Sequence, residues 1–165
     1  MKIIEGTKSG TSLRFAVVVS RYNDFVTDRL QTGALGAFAK AGVAAGDLTI
    51  VRVPGAFEIP IAAQHAAESG RFDAIVCLGC VIRGETPHFE YIASAVANGL
   101  MAAAAATGIP MAFGVLTTNS LEEAVERAGE GPLNKGWEAA VAAIEMASVV
   151  GQIVQRHGAA EAHRK

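Results

Sequence analysis

Ala74-Ile75-Val76-Cys77-Leu78-Gly79-Cys80-Val81-Ile82, followed by Arg83-Gly84-Glu85-Thr86-Pro87-His88-Phe89-Glu90-Tyr91, decides the fold. From Ala74 to Cys80 the run is apolar without alternation. That suits a strand covered on both faces, the signature of a parallel sheet rather than a half-solvated antiparallel one. Thr86 is a natural N-cap and Pro87 fits a first helical position. A buried strand that runs through a short polar turn into a helix is one half of a βαβ unit.

The same grammar repeats on both sides. Apolar runs predict strands at Phe15-Ala16-Val17-Val18-Val19, at Leu48-Thr49-Ile50-Val51-Arg52-Val53 and at Met111-Ala112-Phe113-Gly114-Val115-Leu116. Helical spacing fills 24–41, 59–69 and 87–106, each closed by a glycine stop signal at Gly42, Gly70 or Gly108. Ser120-Leu121-Glu122-Glu123 has capping-box spacing and opens a fourth helix. A fifth runs over 135–155, and the polar end from Gly158 is expected to fray. The pattern predicts one α/β domain over 1–165, a three-layer α/β/α sandwich around a four-stranded parallel sheet.

The chain has 165 residues, 51% hydrophobic and 18% charged, with a formal net charge of -2. Disorder is excluded as the main state. So is the broad basic surface of a nucleic-acid binder. Mean hydropathy is +0.32, raised by 32 alanines, and the surplus apolar surface points to contacts between subunits. The longest low-charge stretch, 91–125, is punctuated by Asn98, Gly108, Pro110, Gly114 and Asn119. No membrane span is therefore expected, and with no signal peptide the expected location is cytoplasmic. Cys77 and Cys80 form a C-x-x-C inside the third strand. Residues three apart on a strand face opposite ways, so the pair reads as buried thiols rather than a redox or zinc motif.

Open parallel sheets bind ligands beyond the carboxyl ends of their strands. The segments there are Ser20-Arg21-Tyr22-Asn23, Pro54-Gly55-Ala56-Phe57-Glu58, the stretch 81–88, and Thr117-Thr118-Asn119. Around Glu85, Thr86 and His88, a helix start offers free amides and a positive dipole end, which suits phosphate. A histidine on that rim can move protons near neutral pH. The plainer reading is an ordinary helix start carrying a surface histidine. Phe57 is either a stacking wall or a core residue of a rigid turn, with Glu58 an acceptor for hydroxyl or amine hydrogens. Tyr22 either stacks on a flat ligand or caps the core. Arg127 suits bidentate phosphate recognition, or else pairs with Glu123 at i,i+4 on a solvated helix face. Lys135 and Glu138 are assisting charges or ordinary surface residues.

Six blocks in order resemble the lumazine synthase family: Ser20-Arg21-Tyr22-Asn23; Val53-Pro54-Gly55-Ala56-Phe57-Glu58-Ile59-Pro60; Gly79 with residues 81–91; Phe113-Gly114-Val115-Leu116-Thr117; Glu126-Arg127-Ala128-Gly129; and Asn134-Lys135-Gly136-Trp137-Glu138-Ala139-Ala140. The resemblance implies a flavodoxin-like sheet with strand order 2-1-3-4. It implies a condensation that uses no cofactor and no metal. Two small-molecule substrates, 5-amino-6-(D-ribitylamino)uracil and 3,4-dihydroxy-2-butanone 4-phosphate, give 6,7-dimethyl-8-ribityllumazine, the penultimate compound of riboflavin biosynthesis.

Under the resemblance His88 transfers protons, while Arg127 binds phosphate with the backbone of Glu85 and Thr86. Tyr22 and Asn23 flank the pyrimidine, whose edge meets Cys80, Val81 and Ile82. Ala56, Phe57 and Glu58 form the ribityl-binding turn. Phe113 reaches a neighbouring subunit's site, and Lys135 and Glu138 assist. It further implies a homo-oligomer with sites between subunits: a pentamer, a decamer or an icosahedral 60-mer, with riboflavin synthase as a partner that a shell could enclose. Two positions depart from the family pattern. Tyr22 stands where Phe or Trp is usual, and Leu133, after Pro132, precedes Asn134 where capsid-forming members often carry Gly. A non-catalytic flavin or pteridine binder, or a shell protein on the same scaffold, is the alternative reading.

Overall fold

The computed structural model describes residues 1–162, with side chains through Val154. Four strands, β1 (Phe15–Ser20), β2 (Leu48–Val53), β3 (Ala74–Ile82) and β4 (Met111–Thr118), form one parallel sheet in the order β2-β1-β3-β4. The helices are α1 (Asp24–Lys40), α2 (Ile59–Glu68), α3 (His88–Thr107), α4 (Leu121–Arg127) and α5 (Lys135–Ala162). The fold class and strand order agree with the expectation.

The two central strands explain why their sequences do not alternate. Phe15, Val17 and Val19 of β1 join Val76, Leu78 and Cys80 of β3 in a core shared with α1 and α5. Ala16 and Val18 join Ile75, Cys77 and Val81 in a second core under α2 and α3. Both faces are dry, so both residue parities are apolar. Cys77 and Cys80 fall in different cores and are free thiols. Burial pushes them up to about 12 and about 11.

The layers also fix the handedness pattern. The β1-to-β2 step moves one way along the sheet, with α1 on the first face. The next two steps move the other way, with α2 and α3 on the second face. Reversing both direction and face preserves the hand, so all three crossovers share one. The reversal leaves a topological switch point between the ends of β1 and β3.

Several boundaries differ from the sequence reading. β3 ends at Ile82 with its apolar run, but β4 continues through Thr118, because the register Val81↔Thr117 and Ile82↔Thr118 holds beyond the apolar run of β4. Thr86 is not the N-cap of α3. Pro87 occupies that position, with φ −68° and ψ 5° and no side-chain cap, and its carbonyl accepts from the Glu90 amide at 3.1 Å. At α4, Ser120 does cap, accepting from the Glu123 amide at 3.2 Å. The returning Glu123 carboxylate takes the amide of Asn119 at 3.0 Å, one residue early for a standard capping box. The α5 helix passes Gln155 and reaches Ala162, so the expected loose tail overlaps it, and the last three residues lie outside those described.

Two helical stretches, His88–Thr107 and Lys135–Val154, are long and apolar enough to cross a membrane by length and composition alone. The punctuation that argued against a span falls mostly after Thr107, so it does not bear on the first of them. Each of the two lays one face on the sheet through named core residues, Val96 and Leu100 for α3, Ala140 and Ile144 for α5. The outer side of α3 is rich in alanine, with Ala97, Ala102, Ala105 and Ala106 exposed, whereas Ala139, Ala140, Ala143 and Ala147 of α5 are buried.

Candidate active site

The sequence-predicted residues gather in two separate clefts. The larger, about 700 Å³, opens at the switch point. Tyr22 and Asn23 come from the end of β1, Ala56, Phe57 and Glu58 from the turn after β2, and Cys80, Val81 and Ile82 from β3. Thr86 and His88 come from the entry to α3. Gly55, Gly84, Phe89 and Ile92 complete the lining. Glu85 sits on the same exposed loop without lining the cleft.

Local chemistry holds this wall in place. Asn23 adopts the left-handed region at φ 61°, which asparagine tolerates better than most residues. Its side chain does not cap α1 but donates from Nδ2 to the Cys80 carbonyl at 2.9 Å, pinning the β1 turn to the β3 end. Thr27 is buried and donates to the Ser20 carbonyl at 2.7 Å. Tyr22 is 71% exposed and Phe57 58% exposed, so neither ring belongs to the core. Both are available for stacking. Among the described residues, no protein acceptor meets the amides of Glu85, Thr86, His88 or Phe89. These groups stand at the positive end of a 20-residue helix, an arrangement that favours an anion.

Arg83 braces the rim, and the sequence reading gave it no role. Its backbone amide donates to the Thr118 carbonyl at 2.9 Å. Its guanidinium pairs with Glu90, donates to Asn119 Oδ1 at 3.0 Å and lies 4.4 Å from the Phe89 ring centre. The hydrogen bond from Arg83 holds the Glu90 carboxyl below its ordinary range. A lone arginine after a strand carries no signal of three convergent partners, because those partners come from two other elements.

The second cleft, about 420 Å³, lies along β4, an edge strand, against the α5 side. It holds Phe113, Arg127, Lys135 and Glu138. Phe113 is 48% exposed. Arg127 forms no ion pair with Glu123; it donates to the Glu123 backbone carbonyl at 3.1 Å, since that carboxylate is engaged at Asn119. Lys135 Nζ contacts both carboxylate oxygens of Glu138 at 2.8 Å. Within one chain, then, the proton-transfer candidate and the phosphate-binding candidate line different clefts. Among the described residues no group of His, Cys, Asp and Glu is arranged to hold a metal ion.

Residues 12–151 match the family model of 6,7-dimethyl-8-ribityllumazine synthase. The chain belongs to that family. A protein named 6,7-dimethyl-8-ribityllumazine synthase from Syntrophus aciditrophicus (strain SB) is 50% identical over 151 residues, covering 92% of this chain and 98% of its own. Another of the same name, from Desulfatibacillum aliphaticivorans, is 48% identical over 151 residues, covering 92% and 97%. Lumazine synthase is a transferase of riboflavin biosynthesis, and membership makes this chain a soluble enzyme of that class. The matched span includes every residue assigned to the two clefts.

Proposed function

We propose that the chain condenses 5-amino-6-(D-ribitylamino)uracil with 3,4-dihydroxy-2-butanone 4-phosphate, at sites built where one subunit's switch-point cleft faces a neighbour's β4 cleft. The division of the site residues between two clefts carries this reading. Neither cleft alone offers a stacking wall, a proton carrier and an arginine. Exposed apolar side chains on α3, Tyr91 at 70% and Met101 at 73%, supply surface for subunit contacts. The assembly is a homo-oligomer of pentamers, alone, paired as a decamer or closed as a 60-mer. Riboflavin synthase is its candidate partner and the cytoplasm its compartment. Leu133, 81% exposed in the α4–α5 loop, is where the sequence departs from the pattern of capsid-forming members.

The chemistry needs placement more than a strong nucleophile. The pyrimidine stacks on an exposed ring and its ribityl hydroxyls donate to the Glu58 carboxylate. Among the described residues, no side chain or backbone donor occupies that carboxylate. The amides of Glu85, Thr86, His88 and Phe89 and the neighbour's arginine hold the phosphate. The substrate amine attacks the ketone carbon and water leaves as the imine forms. Phosphate then departs as the adjacent carbon loses a proton, and ring closure expels a second water. His88 takes and returns protons through these steps. The anion cradle stabilises charge as the phosphate leaves.

The decisive experiment follows lumazine fluorescence from both substrates, against a protein-free control because the reaction runs slowly unaided. Wild type should exceed the control. Arg127→Ala should raise KM for the phosphate substrate, and an unchanged KM would remove Arg127 from the site.

A further inference from the structure

We propose that Asn134 is a positioning residue that sets Arg127 against the Lys135–Glu138 pair. This rests on the reading of the β4 cleft as the phosphate half-site. Asn134 is 2% exposed, and its side chain spends its hydrogen-bonding capacity on three elements at once. Oδ1 accepts from the amides of Gly136 at 2.8 Å and Trp137 at 3.2 Å, capping α5. Nδ2 donates to the Gly129 carbonyl at 2.7 Å, two residues beyond Arg127, and to the Arg29 carbonyl of α1 at 3.1 Å. The Asn134 amide also donates to the Gly131 carbonyl at 3.1 Å, closing the loop on itself.

Two glycines make room for this arrangement. A side chain at Gly33 would collide with the Asn134 carboxamide, and one at Gly136 would collide with the Leu30 carbonyl. The α1 helix therefore presents a notch into which the loop is drawn. Capping needs only an acceptor, which serine, threonine or aspartate supplies equally well. The bonds to Gly129 and Arg29 need two N–H donors, and among capping residues only asparagine has both an acceptor and that pair. Of the two bonds beyond capping, one reaches the segment just after Arg127 and the other ties that segment to α1. Lys135 follows Asn134 directly, so one side chain fixes both ends of the charged cleft.

Asn134→Ser separates the two roles, because it keeps a cap and discards the donors. In the full-length assembled protein it should raise KM for the phosphate substrate about tenfold, as a misplaced anchoring group does, while KM for the pyrimidine holds. In the double variant with Arg127→Ala it should add nothing to the loss from Arg127→Ala alone. Additive losses, or a folded Asn134→Ser with an unchanged phosphate KM beside an impaired Arg127→Ala, would overturn the tether alone. An Arg127→Ala without effect would overturn the phosphate half-site and the tether with it. Should Asn134→Ser fail to fold, Gly33→Ala carries the same test by pushing on the carboxamide from α1, with the same split in KM expected.

Discussion

Mixing two crippled variants should restore activity. His88 lines the switch-point cleft and Arg127 the β4 cleft of the same chain. If a working site takes one from each of two neighbours, a ring made only of His88→Ala subunits has no intact site, nor does a ring made only of Arg127→Ala. In a ring reassembled from equal parts, a site is intact when one subunit keeps His88 and the next keeps Arg127. Each condition holds half the time, so about a quarter of the sites recover. Either pure variant should run about 10²-fold below wild type at low phosphate substrate, the usual scale for removing one proton carrier or one anion anchor. The mixture should therefore stand more than tenfold above both parents. The assay is lumazine fluorescence after the two proteins are dissociated, mixed and reassembled, with unmixed parents taken through the same steps. A mixed rate equal to the parents' average, from oligomers shown to have exchanged subunits, would place the whole site in one chain and refute the reasoning.

His88→Ala alone should lower kcat by about 10²-fold or less and leave both KM values near wild type, because proton transfer assists steps that also proceed in water. Steady-state kinetics with each substrate varied would check it. Cys77 and Cys80 should resist thiol reagents in the native protein at pH 8 and react on denaturation. Because their folded values, about 12 and about 11, lie above the reference of 9.0, the neutral thiols favour the folded state. That contribution is complete below about pH 9 and is lost as pH rises through the folded values, so denaturant midpoints should fall at alkaline pH and fall less in a Cys77→Ala variant. Phe38→Ala should cost about 3–5 kcal/mol by urea unfolding. Its ring is fully buried and sits 4.7 Å, centre to centre, from Phe15.

Much of this molecule is legible before any coordinates. The β1 and β3 starts at Phe15 and Ala74 and the parallel character of the sheet follow from continuous apolar runs, since burial on both faces leaves no other pattern. β2 carries Thr49 and Arg52 and is largely exposed, and the strand order rested on the family resemblance. Strand ends were less visible. Thr117-Thr118 stay paired with Val81-Ile82 through backbone bonds to which side-chain polarity is indifferent. Thr86 looked like a cap by residue type, but Pro87 takes the cap position and the threonine side chain gives α3 no cap bond. The loss of the Glu123–Arg127 pair has a similar cause, as spacing puts the two within reach but a backbone amide claims the carboxylate first. The site's residue types were plain. Their sorting into two clefts was not, because convergence depends on how loops from distant strands fold over the sheet edge. Asn134 and Arg83 escaped for the same reason: each joins neighbours in sequence to a partner on a distant element, Arg29 for Asn134 and Asn119 for Arg83.

The alternation along β1 makes the chain sensitive to a kind of error that point substitution never tests. Phe15, Val17 and Val19 serve one layer and Ala16 and Val18 the other. Deleting a single codon inside the strand would send each following side chain into the opposite layer, setting bulky residues where alanine had fitted and small ones against α1 and α5. Removing two adjacent codons would restore the parity and shorten the strand. Length variation within this lineage should therefore collect in connections such as residues 44–47, and where it enters β1 it should come in pairs.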